Sequence, residues 1–167
     1  QSRKQQTLNI FEVSKRKLLA KGYTFERVDF ERPWGGFFVI EEKHKERFIE
    51  EYFSEVEDKV DFNLKISPKV LLVAPGKRLS WQYHHRRSEL WQVLEGNVAV
   101  ATNSTNEETE PKTYQPGDQI EMAKGERHRL VGLEDWGIVA EIWIHTDPNH
   151  PSDENDIVRL QDDFKRT

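Results

Sequence analysis

The sequence predicts a mainly β protein, an antiparallel barrel or sandwich with helices at its N-terminal end. Three features point there. From Phe62 onward, short apolar alternations are broken by Pro/Gly turns roughly every 8–12 residues, the pattern of short antiparallel strands. Helical spacing of apolar residues is confined to the first 61 positions. A length of 167 residues with nine Phe, five Trp and four Tyr supplies bulk for one core, so a single domain is expected.

Taken in order, residues 7–21 read as a helix. Leu8, Phe11, Leu18 and Leu19 fall on a rough 3.6-residue stripe, and Gly22 supplies the stop. The turn Glu31-Arg32-Pro33-Trp34-Gly35-Gly36 leads into a strand at Phe37–Glu41. A second helix fits 43–54, with Phe48, Ile49, Tyr52 and Phe53 on one side. These elements make a helical extension plus a first strand over 1–61.

The barrel is expected over 62–146. Phe62, Leu64 and Ile66 alternate, as do Val70, Leu72 and Ala74 after Pro68. Trp91–Leu94, Val98/Val100 and Gly137–His145 continue the pattern, with turns at Pro75-Gly76, Glu95-Gly96-Asn97 and Gln115–Asp118. Asn103 to Lys112 is a polar hairpin tip. A tail over 147–167, packing on the barrel, is expected to hold a strand at Asp156–Leu160 and then a short helix.

Composition excludes several functions. A net charge of −5 argues against general nucleic-acid binding, which needs a basic surplus. The absence of cysteine excludes disulfides and thiolate metal sites. No apolar run approaches the roughly 20 residues that cross a bilayer, and no signal peptide is visible. The expectation is a cytoplasmic protein with no membrane partner.

The chemistry lies in Pro75–Trp91. On a strand, residues i and i+2 share a face, so Gln82 and His84 can converge inside a barrel. Glu89 can return a carboxylate to the same point across a bend. His128 follows a glycine-containing turn further on. Gln82, His84, Glu89 and His128 together make a mixed N/O site suited to one divalent metal, zinc first, with Fe, Mn, Co or Ni also fitting. Without thiolates, such a site is catalytic in style.

The spacing Gly76-x5-Gln82-x-His84-x4-Glu89-x6-Gly96, followed by Gly117-x5-Ala123-x-Gly125-x2-His128, resembles the two cupin motifs. That resemblance implies a double-stranded β-helix, or jelly roll. Gln82 stands where most cupins have a first His, Ala123 where Pro is usual and Gly132 where Asn is usual. Arg32-Pro33-Trp34-Gly35, the Leu79–Trp91 stretch, Glu126-x-His128-Arg129-Leu130 and the tail Asp156–Asp162 resemble the type II phosphomannose isomerase (mannose-6-phosphate isomerase) domain. Residues 42–61 match it poorly. Arg86 and Leu90 stand where that family usually has His. Its larger members also carry a nucleotidyltransferase with a Gly-rich loop. No such loop occurs here, so an isomerase domain alone is expected, without GDP-mannose synthesis.

The resemblance implies a metal-dependent aldose–ketose isomerase interconverting mannose 6-phosphate and fructose 6-phosphate. A sugar phosphate would be its partner, and a homodimer the default assembly. The alternatives are another metal cupin, either an isomerase of a different sugar phosphate or a dioxygenase, and a non-catalytic sugar-binding cupin. Lys69, His85 and Glu121 are candidate general bases beside a metal-bound hydroxide. Lys69 sits where the family usually has Lys. His85 has an equal reading as a surface residue. By the same resemblance Arg159 would bind phosphate through its guanidinium fork, against a surface ion-pair reading. Arg78, Lys124, Arg127 and Arg129 are further phosphate candidates. Trp34 is a candidate for the pocket wall, within a turn read chiefly as structural. His44, His145 and His150 read as ordinary surface or loop histidines.

Overall fold

Two antiparallel sheets face one another in the computed structural model, which describes residues 2–164. Along the chain run α1 (Arg3–Ala20), β1 (Phe25–Arg32), β2 (Gly35–Ile40), α2 (Lys45–Tyr52), β3 (Lys69–Val73), β4 (Trp81–Tyr83) and β5 (Arg87–Glu95). They are followed by β6 (Val98–Asn103), β7 (Lys112–Tyr114), β8 (Gln119–Met122), β9 (Arg127–Gly132), β10 (Gly137–His145) and β11 (Val158–Gln161). One sheet has the order β1-β2-β3-β10-β5-β8 and the other β11-β4-β9-β6-β7.

The first helix starts four residues before the expected boundary because its cap lies upstream. The Ser2 hydroxyl accepts from Gln5 N, and the Gln5 side chain accepts from Ser2 N, so two orphan donors are satisfied reciprocally. The helix stops as expected. Gly22 N donates to Leu19 O and Tyr23 N to Leu18 O, the paired bonds of a left-handed cap, and Gly22 has φ +92°. Leu18 and Tyr23 are both buried beside that cap. The predicted stripe is partly wrong: Leu8 and Leu19 are exposed, and Ile10, Phe11, Ser14 and Leu18 form the inner face. Phe11 stacks on Phe38 at 5.3 Å between ring centroids.

β2 and β3 are buried on both faces. Their outward residues, including Phe38, Ile40, Val70 and Leu72, pack in one core with Phe48, Ile49 and Phe53 of the helical segment. Their inward residues, Phe37, Val39, Leu71 and Val73, pack between the sheets with Trp91, Val98, Val100 and Leu130. The helical extension therefore covers one sheet and leaves the space between the sheets to the site.

One strand was unforeseen and two local expectations fail. β1 was not anticipated, because five of the eight residues in its sequence FERVDFER are charged; it is an edge strand and tolerates that. Phe62, Leu64 and Ile66 do not form a strand. Leu64 N closes a turn on Asp61 O, and the amides of Ile66 and Ser67 are taken by the Glu42 carboxylate. After β11 the chain bends at Asp163 and Phe164 instead of starting a helix; residues 165–167 lie outside the described part. Among the described residues, no helix is long and apolar enough to cross a membrane.

Candidate metal centre

The site is assembled from both sheets. Gln82 lies in the middle of β4, and His84 follows that strand's last residue. Gln82 and His128 are direct cross-strand partners on the β4–β9 ladder, which places their Cα atoms about 4.5–5.5 Å apart. Glu89 comes from β5 of the opposite sheet. His84, Glu89 and His128 are all buried, and one ligand atom from each lies within 4.8 Å of the others.

The hydrogen bonds settle which ring nitrogens face inward. His84 Nδ1 lies 2.7 Å from the Asp156 carbonyl oxygen and His128 Nδ1 lies 3.2 Å from that of Glu126. A carbonyl only accepts, so Nδ1 carries the proton in both rings and Nε2 is left for the interior. His84 Nε2 is 3.4 Å and His128 Nε2 3.2 Å from the same Glu89 oxygen, Oε1. Neither Nε2 has a hydrogen-bond partner among the described residues. Two buried nitrogen lone pairs aimed at a carboxylate oxygen repel one another unless positive charge lies among them. A divalent cation satisfies all three, so these residues fit the metal expected of the site. Gln82 lines the same cavity.

A second layer orients these groups. Arg87 Nε donates to the other Glu89 oxygen at 3.0 Å, and Arg87 Nη1 donates to Ser152 Oγ at 2.8 Å and Asp153 O at 3.0 Å. The Arg87 guanidinium lies 4.0 Å from the centre of the Trp143 ring. Burial alone would raise the Glu89 carboxyl. The His84 and His128 imidazoles and the Arg87 guanidinium around it outweigh burial and hold Glu89 well below the usual carboxylate range.

Above this group opens a cavity. Lys69 and Glu141, both buried, line it: the amine is 3.7 Å from Glu141 and 3.3 Å from Glu154. Glu141 also accepts from Trp91 Nε1 at 2.8 Å. Burial, with the negative charge of Glu89, raises the Glu141 carboxyl; Lys69 and Arg87 offset this only in part. Five cationic side chains line the cavity (Arg27, Arg32, Lys69, Arg87 and Arg159) against three carboxylates (Glu89, Glu141 and Glu154). The protein is anionic, yet this cavity is locally cationic.

Most of the expected site residues converge here. Gln82, His84, Glu89, Lys69, Arg159 and Trp34 line the cavity, and His128 joins His84 and Glu89. Two do not. His85 is exposed, edge-on to Tyr83 at 5.2 Å, because it sits in the bend between β4 and β5 while His84 takes the inner side. Glu121 is exposed on β8, where Ile120 and Met122 take the inward positions. Neither can reach a substrate in the cavity as a base. Of the secondary phosphate candidates, Arg78 is paired with Asp163 and Glu108, and Arg129 with Leu79 O, Glu108 and Gln161. Arg127 lies over the Tyr83 ring, 3.7 Å from its centre, and Lys124 is exposed; none of the four lines the cavity.

Sequence reasoning missed Glu141, Glu154, Arg27 and the orienting role of Asp156. Glu141 had a readable signal, a single carboxylate in the apolar run Gly137–Ile144. Arg27 had none, being one of several charges in β1.

Two sheets closing on a buried His/Glu/His group define a cupin-type barrel able to hold a metal. The chain belongs to the family described as mannose-6-phosphate isomerase C-terminal, whose sequence model matches residues 51–162. Mannose-1-phosphate guanylyltransferase ManC of Salmonella typhimurium is 30% identical over 109 residues, 65% of this chain and 21% of that one. Alginate biosynthesis protein AlgA of Pseudomonas aeruginosa is 29% identical over 136 residues, 81% of this chain and 22% of that one. The chain thus spans about a fifth of the length of these relatives. Among solved structures, the capsular polysaccharide assembling protein CapF from Staphylococcus aureus superposes with a TM-score of 0.54 at 16% identity. That match covers 81% of this chain and 34% of the other, and it is a likeness of fold alone.

Proposed function

We propose that the protein is a metal-dependent aldose–ketose isomerase that interconverts mannose 6-phosphate and fructose 6-phosphate. The observation that carries this is the His84–Glu89–His128 group opening into a cavity whose cations outnumber its carboxylates. Membership of a family described as mannose-6-phosphate isomerase C-terminal supports a phosphosugar as the anionic substrate.

The reaction moves a proton between C1 and C2 of the sugar, and the costly species carries negative charge across both oxygens. A divalent cation held by Gln82, His84, Glu89 and His128, zinc in the first instance, would supply Lewis-acid stabilisation of that charge. Lys69 and Glu141 are the cavity groups placed to take and return the proton, at the Lys69 amine and a Glu141 carboxylate oxygen. The Lys69 amine rests 4.6 Å from the centre of the Trp143 ring, which limits the directions it can take. Arg159 lies on an edge strand, opposite Gln82 on the β4 ladder, and binds the phosphoryl end. Holding that remote group fixes the reacting carbons, so binding energy is used for orientation.

The test is a coupled assay for fructose 6-phosphate formed from mannose 6-phosphate. It is run on the purified protein, after chelation, and with Zn²⁺, Mn²⁺ or Co²⁺ restored, beside elemental analysis. Turnover lost on chelation and regained with metal supports the reading. Turnover indifferent to chelator, or absent with every metal, overturns it. Oxygen uptake in place of isomerisation would identify a dioxygenase, and tight sugar-phosphate binding without turnover a binding protein.

A further inference from the structure

We infer that Arg27 is an anion-binding residue of the cavity, gripping a phosphoryl group from the sheet opposite Arg159. β1 and β11 are edge strands, one in each sheet, and each sends an arginine to the cavity. The Arg27 guanidinium lies 4.9 Å from the centre of the Phe37 ring, and Phe37 is part of the buried packing between the sheets. Arg27 has no carboxylate or hydrogen-bond partner among the described residues. Lys69 and Arg87, by contrast, are matched by Glu141, Glu154 and Glu89. Arg32 lies beside the same ring at 5.7 Å, and its buried Nε, though 3.0 Å from Asp29 Oδ2, has no aligned hydrogen-bond partner. Arg32 is thus charge-matched by Asp29, and Arg27 is the β1 cation of the cavity without a carboxylate partner among the described residues. A guanidinium laid on an aromatic face keeps its N–H fork available, and that fork matches two oxygens of a phosphoryl group. β1 lies outside the matched stretch 51–162, so this contact is supplied by the N-terminal hairpin.

The phosphosugar identity rests on the isomerase reading; the anion site does not. Inorganic phosphate is titrated by calorimetry into the metal-loaded protein, into Arg27→Ala and Arg27→Lys, and into Lys112→Ala, a distant exposed control for net charge. Phosphate affinity is expected to fall about tenfold in Arg27→Ala, about 1.4 kcal/mol, and less in Arg27→Lys, with Lys112→Ala unchanged. In the mannose 6-phosphate assay, KM rises about tenfold in Arg27→Ala while kcat stays within about threefold. Arg27 is exposed, so the variant keeps its fold, and matched thermal unfolding checks that. No phosphate binding to the parent protein, or equal phosphate affinity in Arg27→Ala, overturns the inference whether or not the protein turns over. Weakened phosphate binding without turnover in any metal form upholds the anion site and overturns the isomerase reading.

Discussion

The Asp156 carbonyl oxygen sits 2.7 Å from His84 Nδ1, and so holds that ring's other nitrogen toward Glu89. The Asp156 carboxylate accepts from the backbone N–H of His85 at 2.8 Å and of Arg86 at 2.9 Å, and from Ser152 Oγ at 2.6 Å. Asp156 thus ties the tail to the ligand loop through both its carbonyl and its carboxylate, beside the Arg87 bonds to Ser152 and Asp153. Asp156→Ala frees both amides and lets the carbonyl drift. Removal of such an outer contact lowers metal affinity about 10–100-fold. Competition with a chromophoric chelator measures this, and parent-level affinity in the variant would count against the tail's role.

Under the proposed function, Lys69 and Glu141 are separable from the residues that would hold the metal. Lys69→Met and Glu141→Gln are expected to lower kcat about 10²-fold or more while metal content stays stoichiometric. Elemental analysis beside steady-state kinetics checks both halves. If neither variant slows turnover, the proton moves through another group.

Acid acts outside the cavity lining, through Arg78 and Asp163. The Arg78 guanidinium donates to both Asp163 oxygens, at 2.6 and 2.8 Å, and brings that carboxyl down to about 2. A carboxyl whose folded value is depressed contributes stability that is complete above its unfolded value, about 3.9. That contribution is lost as the pH falls from there through about 2. NMR titration of the Asp163 carboxyl is expected to give a midpoint near the lower figure in the parent protein. In Arg78→Ala the midpoint should return toward the ordinary carboxylate range.

Gly132 explains a departure from the motif, which usually has Asn there. A Cβ at this position would overlap the Ala74 carbonyl oxygen and crowd that of Lys77 at 3.1 Å. The Gly132 amide also donates to Lys77 O at 2.6 Å, so the two segments are held close. Gly132→Asn forces them apart and is expected to destabilise the fold by about 1–3 kcal/mol, read from chemical denaturation. A neutral result would mean that the Pro75–Lys77 turn yields freely.

The motif spacings were enough to nominate Gln82, His84, Glu89 and His128, because a two-residue period on a strand and a glycine turn are local rules. His85 and Arg87 show the limit of the same rule. Their neighbours alternate, and one ring faces solvent while the guanidinium is locked under Glu89. Phe62–Ile66 alternated too, yet a distant carboxylate, Glu42, claimed its amides.

From the sequence alone came the β architecture and the His84, Glu89 and His128 group that could hold a metal, since each depends on residue types at short separations. Tertiary structure decided which cations stand unmatched, which carboxylate shares the cavity with Lys69, and how the tail orients His84. Those are contacts between strands from opposite sheets or far apart in the chain, and sheet order, which no local pattern encodes, is what brings Arg27, Glu141 and Asp156 to the site.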